Sequence, residues 1–515
     1  MSRVWRLGGV PTNTAVSAVR TVVRLLVGFA LLPLLVHGIG SAPTGLFLFA
    51  TTLTGYFTAV ELTFGASVTR YVAEYRASGS SAELAAAIRG SLALLTAIGV
   101  VTASALAAVG LLAGHALFHE TANRAAVIPA LLVAAGTAVA YWPSRVGVAA
   151  LNGLERYDQT ASIQIASSLV ILGGVAALAG NHASVPVLTG FFGVITVLEG
   201  IAAAALAWRP LGIDLSWTRG SWLRGSFLRG VARFGAATFV IGIADTLLYS
   251  FDRTIVSATV GATAIVAYEL ALRPQAAVRT ISGLSGVALV APVARLAAEG
   301  RYEDMRQLVL IGSFMSVAVT APIAVLVITL AHPFVLAWFG AGFSRQSTYV
   351  QIFTSYWVLT CLTTAASSAL VGIGRLREFA RLVIVQAVVA LVLSVIFALL
   401  WGTVGVIWGT VIPAAVSMPI FMRLALRLLG IAVRDFARDV AIPVYGMLAP
   451  WSALVIAAQL LLAPSGYAGL LAFSVSALIV WCVAVGPMLL TRWRRVTGGP
   501  PRQAPDFAEV TATDQ

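Results

Sequence analysis

Apolar stretches of about 20 residues recur along almost the whole chain, and a helix of that length crosses a bilayer. Of the 515 residues, 59% are hydrophobic and only 10% are charged, with a mean hydropathy of +0.94. A soluble protein would carry about 25% charged residues. The alternating segments of about ten residues that mark an outer-membrane barrel are absent from the sequence. These features specify an all-α polytopic membrane protein.

Fourteen transmembrane helices are predicted, near 15–39, 43–65, 90–114, 125–152, 160–180, 185–207, 234–258, 262–290, 306–330, 348–372, 379–400, 403–428, 440–462 and 467–490. The first run is too long for the apolar core of a signal peptide, so it is read as a retained span. Alternate loops collect arginine: Arg70, Arg76 and Arg89; Arg156; the series from Arg209 to Arg233; Arg295, Arg301 and Arg306; Arg375, Arg377 and Arg381; Arg434 and Arg438. The intervening loops hold only Arg124 and Arg345. The positive-inside rule then places both termini of this multi-pass protein in the cytoplasm. The net charge of +13 resides in those loops and calls for membrane lipids, not nucleic acid, as the partner. Cys361 and Cys482 lie in separate apolar segments and imply neither a disulfide framework nor a metal site.

The chain also repeats itself at an offset of about 220 residues. Val72-Ala73-Glu74-Tyr75-Arg76-Ala77-Ser78-Gly79 returns as Val293-Ala294-Arg295-Leu296-Ala297-Ala298-Glu299-Gly300, and Leu151-Asn152-Gly153-Leu154-Glu155-Arg156-Tyr157 as Leu370-Val371-Gly372-Ile373-Gly374-Arg375-Leu376. The order of the two pairs implies two repeated six-helix lobes, 1–207 and 234–430, joined by an amphipathic cytoplasmic linker at 208–233. Two further helices occupy 431–490, and 491–515 reads as a disordered tail. The first motif of each copy reads as a helix running past the membrane and ending at Gly79 or Gly300. Duplicated lobes around a midplane cavity are a transporter architecture.

Charges at membrane depth are costly, so they mark sites of function. The first span carries Arg20 and Arg24 on one face. Glu61, Arg145 and Glu199 follow in the second, fourth and sixth spans, Asp245, Asp252 and Arg253 in the seventh, and Glu269, Arg273 and Arg279 in the eighth. Arg20, Arg145 and Arg279 are shallow enough to reach the interface by snorkelling. Glu269 and Arg273 are spaced for an i,i+4 ion pair, and Asp252 with Arg253 for locking the seventh span to a neighbour. Arg24 and Arg273 are deepest. Arginines lining a cavity suit phosphate or diphosphate, because a guanidinium offers paired donors to phosphate oxygens. Walker, H-E-x-x-H, G-x-S-x-G and C-x-x-C motifs are absent, which argues against an enzyme and leaves an H+ or Na+ gradient, the membrane potential or the substrate gradient as the energy source.

Over about residues 15–430 the chain resembles the polysaccharide, or lipid-linked oligosaccharide, flippases (Wzx-type) of the multidrug/oligosaccharidyl-lipid/polysaccharide (MOP) exporter superfamily. The resemblance rests on Glu61-Leu62-Thr63-Phe64-Gly65 leading to Thr69-Arg70-Tyr71, on Asn152-Gly153-Leu154-Glu155-Arg156-Tyr157, and on Asp252-Arg253 followed by Tyr268-Glu269-Leu270-Ala271. Ala291-Pro292, Trp338-Phe339-Gly340 and Gly372-Ile373-Gly374-Arg375 complete it. It implies translocation of a polyprenyl-diphosphate-linked glycan to the outer leaflet by alternating access, alongside other polysaccharide-assembly proteins. Arg24, Arg145, Arg273 and Arg279 become candidate diphosphate or sugar contacts. Glu61, Asp245, Asp252, Arg253 and Glu269 become candidates for ion coupling or charge balance, without a cofactor. The arginine–glutamate signature of the lipid II flippase branch after the first span is missing, which argues against the peptidoglycan precursor as cargo. A cation-coupled multidrug exporter of the same superfamily is the alternative, although Arg24 in the first span argues against cationic drugs. A membrane glycan polymerase or ligase would need a larger outer loop than 331–347.

Overall fold

The computed structural model describes residues 10–55, 65, 68–70, 72–74, 81–113, 124–211 and 251–497. The described residues are helical, with no strand among them, and eleven of their helices are long and apolar enough to cross a membrane. The first six are α1 (Val10–Ile39), α2 (Ser41–Gly55), α3 (Ser81–Ala108), α4 (Arg124–Gly153), α5 (Tyr157–Gly180) and α6 (Val185–Leu211). After 212–250, which lie outside the described residues, come α7 (Phe251–Thr259), α8 (Ala262–Ala298), α9 (Tyr302–Thr329) and α10 (Ala331–Phe339). The chain continues through α11 (Ser347–Ser355), α12 (Trp357–Thr360), α13 (Thr363–Gly372), α14 (Leu376–Trp401) and α15 (Thr403–Leu428). It closes with α16 (Val433–Phe436), α17 (Ile442–Leu462) and α18 (Gly466–Thr497). Most of the linker expected at 208–233 and the tail beyond Thr497 fall outside the described residues.

Most predicted spans coincide with these helices, and the departures have local causes. The tenth predicted span, 348–372, is broken into α11, α12 and α13, although it holds neither proline nor an internal glycine. The backbone bonds tighten there to i→i−3, Leu359 N to Tyr356 O and Leu362 N to Leu359 O, each at 3.1 Å, and hydroxyls share the same carbonyls: Thr360 Oγ1 donates to Tyr356 O at 2.5 Å and Thr363 Oγ1 to Thr360 O at 2.7 Å. Tyr445 Oη then donates to Val358 O at 2.5 Å, so the break is held from another helix. The outer loop expected at 331–347 is instead helical, α10 followed by a 3₁₀ segment at Ala341–Gln346, because Val335, Trp338 and Phe339 bury one face. Arg89, placed in a loop by the hydropathy pattern, is buried within α3, which starts at Ser81. The last helix runs past 490 to Thr497.

The duplication appears in the turns. Residues in the left-handed region recur about 220 positions apart: Gly40 and Gly261, Glu155 and Gly374, His182 and Gly402. In the second pair the hydrogen bonds match as well. Arg156 N donates to Leu151 O at 3.1 Å and Arg375 N to Leu370 O at 3.0 Å. Glu155 N donates to Asn152 O at 2.9 Å and Gly374 N to Val371 O at 3.1 Å. Both are the paired bonds of a Schellman-type helix end. Packing repeats too. A Cβ on Gly153 would lie 2.7 Å from Thr69 O and from Val72, and one on Gly372 would lie 2.8 Å from Val290 O and 3.2 Å from Val293. The first repeated motif therefore rests on the glycine of the second in both copies. As expected, α8 ends at Gly300 (φ +71°), with Arg301 N donating to Leu296 O at 2.9 Å. Its 37 residues extend about 55 Å, against about 30 Å of bilayer hydrocarbon. Gly79 lies outside the described residues.

Two compact units divide the chain: Met1–Glu269 with Leu391–Val406, and Leu270–Ala390 with Ile407–Gln515. In the first, α4 is the hub, packed along α3 and α6, while α1 packs on α5. Gly147 permits the α4–α6 approach, since its missing Cβ would lie 2.5 Å from Ala204 N. In the second unit α9 is central and is the most buried of the candidate spans. Phe314, Val317 and Ala321 pack there with Cys361, Ala365, Leu448 and Val485. Trp481 Nε1 donates to Ala318 O at 2.7 Å and its ring lies 5.3 Å from that of Trp451, which fastens α17 and α18 to this core.

Candidate functional site

Four helices of the first unit bring membrane-depth charges together. Arg145 on α4 and Glu199 on α6 form an ion pair at 2.8 Å, with side chains only 9% and 11% exposed. The Arg145 guanidinium also stacks 5.1 Å over the ring of Tyr141, one turn earlier on α4. Glu199 is shared more widely: Ser167 Oγ on α5 donates to its second oxygen at 2.7 Å, and Gln164 Nε2 donates to the first at 3.3 Å. The Gln164 carbonyl in turn accepts from Arg20 Nη1 on α1 at 3.1 Å. Arg20, Arg145, Gln164 and Glu199 all lie within candidate membrane spans, where ionic groups persist only with partners of this kind.

Arg20, at the start of its span, therefore bonds to α5 through Gln164. Arg145, expected either to line the cargo site or to snorkel, is held by Glu199. Arg24 is one turn beyond Arg20 on α1, and its side chain is exposed. The network holds two guanidiniums and one carboxylate, and with Arg24 one turn away the surplus is two positive charges among the described residues.

A second cluster joins α7 to α8 within the first unit. Asp252, 2% exposed, accepts from Tyr268 Oη at 2.8 Å. Arg253 pairs with Glu269, itself buried. Neighbouring residues of α7 thus fasten to neighbouring residues of α8, the locking arrangement envisaged from sequence. Glu269 has Arg253 as a partner from another helix, in addition to the spacing that relates it to Arg273. Arg273 and Arg279 sit half-buried on α8 in the second unit. There the helix bonds to the broken segment: Gln275 Nε2 donates to Tyr356 Oη at 2.7 Å, and Ser282 and Thr364 share a hydrogen bond of 2.8 Å. Glu61 and Asp245 lie outside the described residues.

No family profile and no curated protein matches the chain. Solved structures do. One is the lipid II flippase MurJ in an inward closed conformation, with a TM-score of 0.70 at 13% identity over 92% of this chain and 99% of that one. Another is an inward-facing multidrug resistance MATE family transporter of the MOP superfamily, with a TM-score of 0.63 at 16% identity over 80% of this chain and 94% of that one. The fold is MOP-like. A third similar structure is a MOP superfamily transporter from Pyrococcus furiosus, described as having a binding pocket of reverse polarity, with a TM-score of 0.50 at 15% identity over 82% of this chain and 94% of that one. The MOP-like chain spans nearly the full length of these proteins.

Sequence reasoning found Arg20, Arg145 and Glu199 as membrane-depth charges but did not connect them, and it passed over Gln164 and Ser167. Those two are three apart in the apolar run of α5 and so share a face. Polar residues at that spacing in a membrane helix were the available signal.

Proposed function

We propose that this protein is a flippase that carries a polyprenyl-diphosphate-linked oligosaccharide across the bacterial cell membrane by alternating access. The observation that supports it is the surplus of positive charge on α1. Glu199 is engaged by Arg145, whereas the partner of Arg20 is a neutral amide and Arg24 is exposed one turn away. Guanidiniums one turn apart suit the oxygens of a diphosphate and repel a cationic drug. Arg273 and Arg279 are further contacts in this reading, and Asp252, Arg253 and Glu269 balance charge or couple the cycle to H+ or Na+.

The similar structures include both a lipid flippase and a multidrug transporter, so their fold supports either kind of cargo. The charge on α1 favours the anionic one, and a pocket of reverse polarity has a precedent in the Pyrococcus furiosus transporter. The test is flipping of a fluorescent polyprenyl-diphosphate oligosaccharide in proteoliposomes by wild type, Arg24→Ala and Arg273→Ala. Flipping by wild type that is lost in both variants supports the reading. Undiminished flipping in both variants removes the proposed site. Export of ethidium without any lipid flipping would replace the reading with multidrug transport.

A further inference from the structure

The relay between Arg20 and Glu199 passes through Gln164, and the choice of an amide there has a chemical consequence. Its carbonyl accepts from a cation at 3.1 Å while its NH2 donates to an anion at 3.3 Å. A carboxylate at this position would accept from Arg20 but meet Glu199 as a like charge, and an ammonium or guanidinium would do the reverse. An amide satisfies both neighbours without adding charge. Arg20 is thereby aimed without being neutralised. Among the described residues, the charged groups bonded to Gln164 are Arg20 on α1 and Glu199 on α6, and Arg145 on α4 pairs with the same Glu199.

We propose that Gln164 determines the charge of the cargo, keeping the α1 arginines two positive charges strong so that a diphosphate is preferred over a monophosphate headgroup. This rests on the flippase reading and specifies the anion at the same site. Gln164 acts through Arg20, as a positioning residue, and need not touch the cargo. Glu at 164 would pair with Arg20 at little change in size, leaving Arg24 as the uncompensated charge of α1. The preference for a dianion would then collapse.

The experiment measures binding of a polyprenyl-diphosphate-linked sugar, a dianion, and a polyprenyl-monophosphate-linked sugar, a monoanion, to the full-length protein in nanodiscs at constant pH, for wild type, Gln164→Glu and Gln164→Asn. Wild type is expected to favour the diphosphate. Gln164→Glu is expected to lose about tenfold for the diphosphate and much less for the monophosphate, because one near charge is cancelled. Gln164→Asn keeps the charge and shortens the reach, so it should weaken both ligands by a similar factor and leave their ratio unchanged. Equal ratios in wild type and a folded Gln164→Glu would overturn the proposal, as would an equal shift in ratio for Asn and Glu. Should Gln164→Glu not fold, Arg20→Gln removes the same charge without adding an acid. It must then reproduce the shift in ratio, and an unchanged ratio overturns the idea. Absence of binding of either lipid to wild type sinks the flippase reading together with this one, whereas the earlier outcomes sink this one alone.

Discussion

Replacing Glu199 by leucine tests whether the buried network is the structural tie it resembles. The carboxylate accepts from Arg145 at 2.8 Å, Ser167 at 2.7 Å and Gln164 at 3.3 Å. Its loss takes from the Arg145 guanidinium, whose side chain is 9% exposed and cannot recover hydration in place, the carboxylate it pairs with at 2.8 Å. Removing one member of a buried pair costs about 3–5 kcal/mol. That corresponds to roughly two to three and a half decades in the unfolding equilibrium. Replacing Arg145 and Glu199 together by leucine removes that buried charge as well, while the lost hydrogen bonds from Ser167 and Gln164, about 1 kcal/mol each, are common to both variants. The double variant should therefore be more stable than Glu199→Leu alone, by at least about 1–2 kcal/mol. Equilibrium unfolding in mixed detergent micelles, followed by tryptophan fluorescence, measures all four corners of the cycle. Additive losses, with the double variant the least stable of the set, would refute the argument. They would mean that the two side chains already reach water or separate partners.

The repeated packing makes Gly153→Ala and Gly372→Ala comparable, each forcing a Cβ to within 2.8 Å of a carbonyl oxygen or side chain; both should lower thermal stability by about 1–3 kcal/mol. At the matching turns, Glu155 holds φ +60° where the other copy has Gly374, so Glu155→Gly should raise the melting temperature and Glu155→Val lower it, by about 1–2 kcal/mol. Tyr268→Phe removes the donor to the buried Asp252 and should cost about 1–3 kcal/mol, read in the same unfolding assay.

Two kinds of information governed how much could be read ahead. Hydropathy located most spans to within a few residues, because burial in lipid constrains every residue of a helix in the same way, whichever helix lies beside it. The same logic did not see the interruptions within 348–372, where composition is apolar enough to span but the backbone tightens to i→i−3 bonds, or the helix α10, whose apolar face packs against protein. The end of α8 was legible because a left-handed turn there calls for Gly300, a purely local demand. Its counterpart at Glu155 was hidden, since glutamate gives no sign of a positive φ.

By itself the sequence determined that this is a helical, multi-pass membrane protein with an internal repeat, and it marked the costly membrane-depth charges. The tertiary structure decided which charges are engaged. Arg145 became a structural partner of Glu199, Arg20 was bonded to Gln164, and Asp252 and Arg253 were fastened to α8. Those partners lie 54, 144 and 16 residues away along the chain. Insertion cost is a property of each residue in its own helix, whereas relief of that cost depends on which helix lies alongside, and only packing supplies that.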